Sequence, residues 1–167
     1  MSKKNKAIFL DRDGVINKER SDYVKTVKEL EIFSDIWVPV KRLKDAGFLI
    51  IIITNQSAIN KKLTTHKKVQ EIHLEIQKHL NENGTSIDEF YYCPHTPAEN
   101  CDCRKPKTGM LLEALDDFKI DLKSSWFIGD CDSDMEAAIK VGCKHIKITS
   151  EISLSKAVEK IFKEYSN

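Results

Sequence analysis

Apolar residues in this chain come in short runs that stop at polar groups. Residues 7–10 (AIFL) end at Asp11, residues 48–53 (FLIIII) end at Thr54, and residues 126–128 (WFI) end at Gly129 and Asp130. None of the three alternates with polar positions. Unbroken apolar runs of this length suit strands covered on both faces, as in a parallel sheet flanked by helices. Residues 89–92 and 145–148 read as weaker strands, for five in all. Between them residues 36–46, 66–83, 110–118 and 132–141, and after the last of them residues 154–165, carry apolar side chains at helical spacing. Gly47, Gly84 and Gly142 fall just past three of these stretches, where helices end. The alternation is that of an α/β fold. No repeat, low-complexity tract or Pro/Gly/Ser linker interrupts it, so one domain over residues 1–167 is expected.

The polar residues that close the strands carry the candidate chemistry. Asp11 with Asp13, Thr54 with Asn55, and Asp130 each sit at the C-terminal end of an expected strand, the edge where open α/β sheets bind ligands. Asp11-Arg12-Asp13-Gly14 places two carboxylates two residues apart, with Gly14 free to turn. Two such carboxylates repel unless a cation joins them, and an oxygen-only site of this kind suits magnesium, with Asp130 as a further ligand and Asp132 and Asp134 beside it. A carboxylate can also attack phosphorus, forming an aspartyl phosphate that water then breaks down. Asp11 is placed to do so. Thr54, Lys105 and the metal would supply the hydroxyl, the cation and the charge that phosphoryl transfer requires. Taken singly, these residues also read as solvated loop acids, a polar turn and a surface lysine.

Composition narrows the classes. With 41% hydrophobic and 32% charged residues, the chain is a globular domain long enough to bury roughly 70% of its unfolded surface. Lys plus Arg number 27 against 26 Asp plus Glu, so there is no global field for nucleic acid or membrane. Aromatics at 8% also speak against a nucleic-acid-binding module. The opening MSKKNK is basic, but the apolar run after it is too short for a signal peptide or a span, and a cytoplasmic protein is expected.

Five cysteines make an odd count, and three of them crowd between positions 93 and 103. Cys93 and His95 followed by Cys101 and Cys103 give C-x-H-x5-C-x-C, a ligand set that zinc takes tetrahedrally with no open position, hence a structural site. Fixing this loop would aim the next two residues, Arg104 and Lys105, at the crevice. Cys143 reads as a small buried hydrophobe. His66, His73, His79 and His145 have no metal-like grouping and read as surface or helix-face histidines. The lysine pairs at positions 3–4, 61–62 and 67–68 read as solvated faces, although Lys61 and Lys62 lie close enough to reach a second phosphate.

Residues 11–17 (DRDGVIN), 54–57 (TNQS), Arg104-Lys105-Pro106 and Gly129-Asp130 together resemble the four motifs of the haloacid dehalogenase (HAD) superfamily of phosphatases, in order and spacing. Within it, the chain is similar over residues 7–148 to the heptose 1,7-bisphosphate phosphatases and the histidinol-phosphate phosphatases. The resemblance implies a HAD-like Rossmannoid sheet. It also implies Asp11 as nucleophile, Asp13 as general acid and then base, Thr54 and Lys105 as phosphoryl stabilisers, and Arg104 in substrate recognition. Asp11, Asp13 and Asp130 would lie at Mg2+, and the Cys-His loop would hold Zn2+. One departure is Cys131, where the family carries a basic residue: either Lys107 compensates or the substrate is bound differently.

Neither interval between motifs has room for a cap domain. Loops at residues 18–23, 58–64 and 94–103 should close the crevice instead, and Glu19, Arg20, Tyr23, Asn55, Gln56, Ser57 and Arg104 are the expected substrate contacts. TNQS, Tyr23 and the residues up to Gly109-Met110 point to a heptose bisphosphate losing its 7-phosphate. The short spacing from His95 to Cys101 points to histidinol phosphate. A monomer acting on a small phosphorylated metabolite is expected, without nucleic-acid or membrane partners.

Overall fold

The structure is a computed structural model and describes residues 4–165. The start of the basic opening segment, including Lys3 of the pair at 3–4, lies outside the described residues. Five parallel strands, β1 (Ala7–Leu10), β2 (Leu49–Asn55), β3 (Glu89–Cys93), β4 (Trp126–Gly129) and β5 (Lys144–Lys147), form one sheet in the order β3-β2-β1-β4-β5. Five helices cover it: α1 (Trp37–Asp45), α2 (His66–Glu82), α3 (Gly109–Phe118), α4 (Asp132–Val141) and α5 (Leu154–Tyr165).

The unbroken apolar runs are explained by the two-residue period of a strand, which sends alternate side chains to opposite faces. Ile8, Leu10, Ile50, Ile52, Trp126 and Ile128 enter one core with apolar residues of α1, α2 and α5. Ala7, Phe9, Ile51, Ile53 and Phe127 enter the other with those of α3 and α4. Both faces are therefore buried, and the central strands carry polar residues only at the C-terminal end of β2. The edge strand β5 is mostly exposed and bears lysines, which discourage further strand pairing.

Most element ends shift by a residue or two from the ranges expected from the sequence. Thr54 and Asn55 belong to β2 rather than following it, because they pair with Tyr92 and Cys93 of β3. Short 3-10 turns at Val27–Glu29, Pro97–Glu99 and Leu122–Ser124 are too brief to leave a periodic signal. Among the described residues, no helix is long and apolar enough to cross a membrane.

The sheet order fixes where a ligand can sit. From β1 the chain winds outward to β2 and β3, then returns to β4 on the other side of β1, so the switch point lies between β1 and β4. Asp11 follows one of these strands and Asp130 the other.

Candidate active site

The Asp11 N–H donates to Ile128 O at 3.1 Å, which carries the β1–β4 pairing one residue past the strand and locks the Asp11 backbone at the switch point. Its Oδ1 accepts from Arg12 N at 2.8 Å and meets Lys105 Nζ at 3.1 Å. Lys105 Nζ also donates to Ile53 O at 2.7 Å and lies 2.6 Å from Asp134 Oδ1. Lys105 is only 3% exposed and Asp134 is fully buried, so these are charges removed from water. Burial alone would lower the Lys105 pKa, but Asp11 and Asp134 outweigh it and the ammonium holds its proton more firmly than usual. Burial pushes Asp11 up to about 6 against the pull of Lys105, with Asp134 and Asp13 adding to the rise.

Asp130 completes the acidic group. Its pKa is raised by burial and by Asp11, and its Oδ1 is buried with no hydrogen-bond partner. Ligand atoms of Asp11, Asp130, Cys131 and Asp134 all lie within 4.8 Å of one another. An orphaned carboxylate oxygen beside a second carboxylate of raised pKa fits a hard divalent cation, which would satisfy the one and favour ionisation of both. Two glycines make this crowding possible. A Cβ on Gly14, whose φ is +82°, would stand 2.0 Å from Asp130 Oδ2, and one on Gly129 would stand 2.3 Å from Asp134 Oδ2.

Asp13 is treated differently. The sequence reading placed it with Asp11 and Asp130 at a cation, but its carboxylate turns elsewhere. Oδ1 accepts from Arg12 Nη2 at 3.0 Å and Asn17 Nδ2 at 2.9 Å, and Oδ2 from Arg12 Nη2 at 3.1 Å and Gln56 Nε2 at 2.8 Å. Burial works against its ionisation, yet Arg12, Asn17 and Gln56 hold its pKa below the usual carboxylate range. Arg12 is fully buried, and no function was assigned to it from the sequence. His73, expected at the surface or on a helix face, lies on the buried face of α2: it is 6% exposed and stacked on Phe90, with Nε2 3.4 Å from Arg12 Nη1. Its signal was the helix period, since residues 69, 72, 73, 76 and 80 form the buried stripe of α2. Asp132 is also displaced from the group: it pairs with Lys147 at the surface.

The Cys-His loop leaves β3 at Cys93. The sulfurs of Cys93, Cys101 and Cys103 lie 3.2 to 3.6 Å apart, and His95 Nδ1 is 3.4 Å from Cys93 and 3.2 Å from Cys103. Ligands about 2.3 Å from a tetrahedral zinc stand about 3.8 Å from one another, so the four donors already surround a zinc-sized space. Burial opposes ionisation of Cys101, but the Arg104 N–H and neighbouring thiols bring it down to about 7. The loop is fastened to the crevice by several links, among them Gln56 N–H donating to Cys93 O at 2.7 Å and Asn60 Nδ2 to Glu99 Oε1 at 2.8 Å. Arg104 Nη1 donates to His95 O at 3.2 Å, and the Asn55 side chain clasps Lys105 through its N–H at 3.0 Å and its carbonyl at 3.1 Å.

Above the acidic group opens a crevice of ≈ 400 Å³. Every sequence-expected substrate contact lines it, namely Glu19, Arg20, Tyr23, Asn55, Gln56, Ser57 and Arg104, together with Asp11, Asp13, Thr54, Lys105 and Cys131. Thr54 Oγ1 accepts from Gln56 Nε2 at 2.9 Å. Lys61 also faces the crevice and donates to the Tyr23 hydroxyl. Lys107 does not compensate for Cys131: it turns away to Asn100 and Asp102.

Known proteins resemble this chain in sequence and fold. The family described as HAD-hydrolase-like matches residues 102–165. D-glycero-beta-D-manno-heptose-1,7-bisphosphate 7-phosphatase of Helicobacter pylori is 40% identical over 142 residues, covering 84% of this chain and 82% of the relative. D-glycero-alpha-D-manno-heptose-1,7-bisphosphate 7-phosphatase of Photorhabdus laumondii is 39% identical over 146 residues, covering 83% and 79%. The crystal structure of D,D-heptose 1,7-bisphosphate phosphatase from B. bronchiseptica, complexed with magnesium and phosphate, superposes with a TM-score of 0.88 at 27% identity, covering 95% of this chain and 99% of that one.

Proposed function

The chain belongs to the heptose-1,7-bisphosphate 7-phosphatase family of HAD-like hydrolases, and from that membership we propose that it removes the 7-phosphate of D-glycero-D-manno-heptose 1,7-bisphosphate with the help of Mg2+. The observation that carries the reading is the arrangement at the switch point. Asp11 stands beside the buried Lys105 ammonium and the partnerless Asp130 oxygen, at the floor of a crevice lined by hydroxyls and cations.

In this reading Asp13, ionised in the free protein, takes a proton from the arriving phosphate monoanion. A carboxylate oxygen of Asp11 then attacks phosphorus as the bond to the sugar oxygen breaks, and Asp13 passes that proton to the leaving oxygen. Water then attacks the aspartyl phosphate, Asp13 takes its proton back, and the Asp11 carboxylate leaves. Lys105 and the Thr54 hydroxyl stabilise the equatorial oxygens, where charge spreads in the transition state. Asp11 and Asp130 would hold Mg2+, which when bound neutralises phosphoryl charge and keeps both carboxylates ionised. The Cys-His loop holds zinc in a structural role. A bisphosphate brings a second anion, and Arg104 and Lys61 at the mouth, with Arg20, are the side chains that would receive it.

Hydrolysis rates with Mg2+ on both heptose 1,7-bisphosphate anomers, histidinol phosphate and simple sugar monophosphates test the reading. A heptose bisphosphate should lead by at least about tenfold in kcat/KM, the value of one good phosphate contact. Histidinol phosphate leading the panel would overturn the substrate, and no turnover of any member would overturn the phosphatase itself.

A further inference from the structure

Arg12 is the largest of the fully buried side chains, and the steps above leave it without a task. Burying a guanidinium costs several kcal/mol before its partners are counted. Its own hydrogen bonds are not all met, since Nε has no partner. The guanidinium is aimed instead. Nη2 reaches both oxygens of Asp13 and also Gln56 Oε1 at 3.1 Å, while Nη1 rests 3.4 Å from His73 Nε2. Arginine offers only donors, so His73 Nε2 must be the acceptor and its ring must be neutral, with the proton on Nδ1. The ring cannot swing freely, because it stacks on Phe90 with centroids 4.5 Å apart and 15° between planes.

We propose that Arg12, seated on a neutral His73, is the positioning residue that aims the Asp13 carboxylate at the leaving oxygen. The proposal rests on the phosphatase reading, in which Asp13 is the proton donor. As the phosphorus–oxygen bond breaks, its electron pair stays on the leaving oxygen, and the proton passes from Asp13 to that oxygen. An alkoxide needs the proton in order to leave; a dinitrophenolate does not. Loss of aim therefore slows alkyl phosphates and spares activated aryl phosphates. Loss of general packing slows both.

The test uses the full chain with Mg2+ and follows leaving-group release in the first turnover, on the best alkyl phosphate of the panel above and on 2,4-dinitrophenyl phosphate. Arg12→Met should slow the alkyl phosphate on the order of a hundredfold, within the range of general acid catalysis, and the dinitrophenyl ester by less than about threefold, with KM for both nearly unchanged. His73→Phe, which keeps the stacked ring but cannot accept, should slow the alkyl phosphate about tenfold, and His73→Gln, whose amide oxygen can accept, should restore most of it. Equal losses on the two esters in the Arg12 and His73 variants overturn the proposal. If Arg12→Met does not fold, His73→Phe carries the same comparison alone. Asp13→Asn separates the premise from the inference. If Asp13→Asn slows both esters alike, the proton-donor reading falls and the proposal with it. If it discriminates while the Arg12 and His73 variants do not, the inference alone is wrong.

Discussion

The crevice and the Cys-His loop share a border at Arg104 and Lys105, yet they are assembled in opposite ways. All four donors of the loop fall within eleven residues, and they close on one another through local chain geometry. The crevice and the acidic group beneath it draw Asp11, Thr54, Lys105, Asp130 and Asp134 from segments far apart in the chain. These are the loops after β1 and β4, β2 itself, the turn at Lys105 and α4, and their order exists only once the sheet has formed. The loop gathers a ligand set that fits one metal ion. The crevice is held by charges buried against one another, Lys105 between Asp11 and Asp134, and by glycines small enough to let carboxylates approach. A local site of the first kind can be lost without unfolding the domain, whereas the second kind is continuous with the core.

The sharpest break of that comparison lies in the crevice. Asp11→Asn keeps shape and fold but removes the proposed nucleophile, so turnover should fall on the order of a thousandfold or more while zinc content and the folded structure are retained. More than about a tenth of the activity remaining would sink the covalent route. Next in size is Lys105→Met, which leaves Asp11 and Asp134 as neighbouring buried carboxylates without their cation. Stability measured by urea unfolding should drop by about 3–5 kcal/mol, the usual cost of orphaning a buried charge. Mg2+ should recover part of it, because it binds only the folded arrangement. An unchanged midpoint would mean that the lysine adds nothing to the fold.

On the loop side, Cys101→Ser should lose the zinc while Mg2+ binding persists, checked by metal analysis and by a Mg2+ titration followed by intrinsic fluorescence. Turnover should still suffer. Arg104 and Lys105 would lose the anchor that aims them, and a displacement of about 1 Å at a reacting group costs on the order of a hundredfold. Loss of Mg2+ affinity along with zinc would show that the two regions are one cooperative site after all.

What could be read from the chain follows the same division. The loop was legible because its information is spacing, and spacing is printed in the sequence. The strands and helices were legible to within a residue or two, since each unbroken apolar run feeds two cores at once. The edge position of Asp11 and Asp130 followed from that. The partners of the buried charges were not legible. Arg12 stands in a run of polar residues and looks solvated; its burial depends on His73 and Gln56, which lie 61 and 44 positions away. The orientation of Asp13 depends on the same contacts, so a motif that lists two aspartates cannot say that they face different surroundings. Lys107 shows the converse: its position suggested a crevice cation, and Asn100 and Asp102 hold it outside.

The smallest expected effect concerns His73, which belongs to the core side of the crevice and should reveal itself through pH. Burial first, and the charge of Arg12 second, push its pKa from 6.5 down to about 3. The folded protein therefore refuses a proton that the unfolded chain accepts. Below about pH 6.5 the unfolded state binds more protons through this group, so its contribution is fully present above that pH and is lost as pH falls toward 3. The slope is at most about 1.4 kcal/mol per pH unit. Asp11, raised to about 6 by burial, acts in the opposite sense over part of the same window, so the absolute stability of the wild-type protein does not isolate the histidine. The difference from His73→Phe does, because Asp11 is common to both. Between pH 7 and pH 5.5 the variant should gain on the wild-type protein by about 1 kcal/mol in urea unfolding, with most of the change below pH 6.5. Parallel stability curves over that interval would mean that His73 takes up its proton in the folded state, and a charged imidazole could not accept from Arg12.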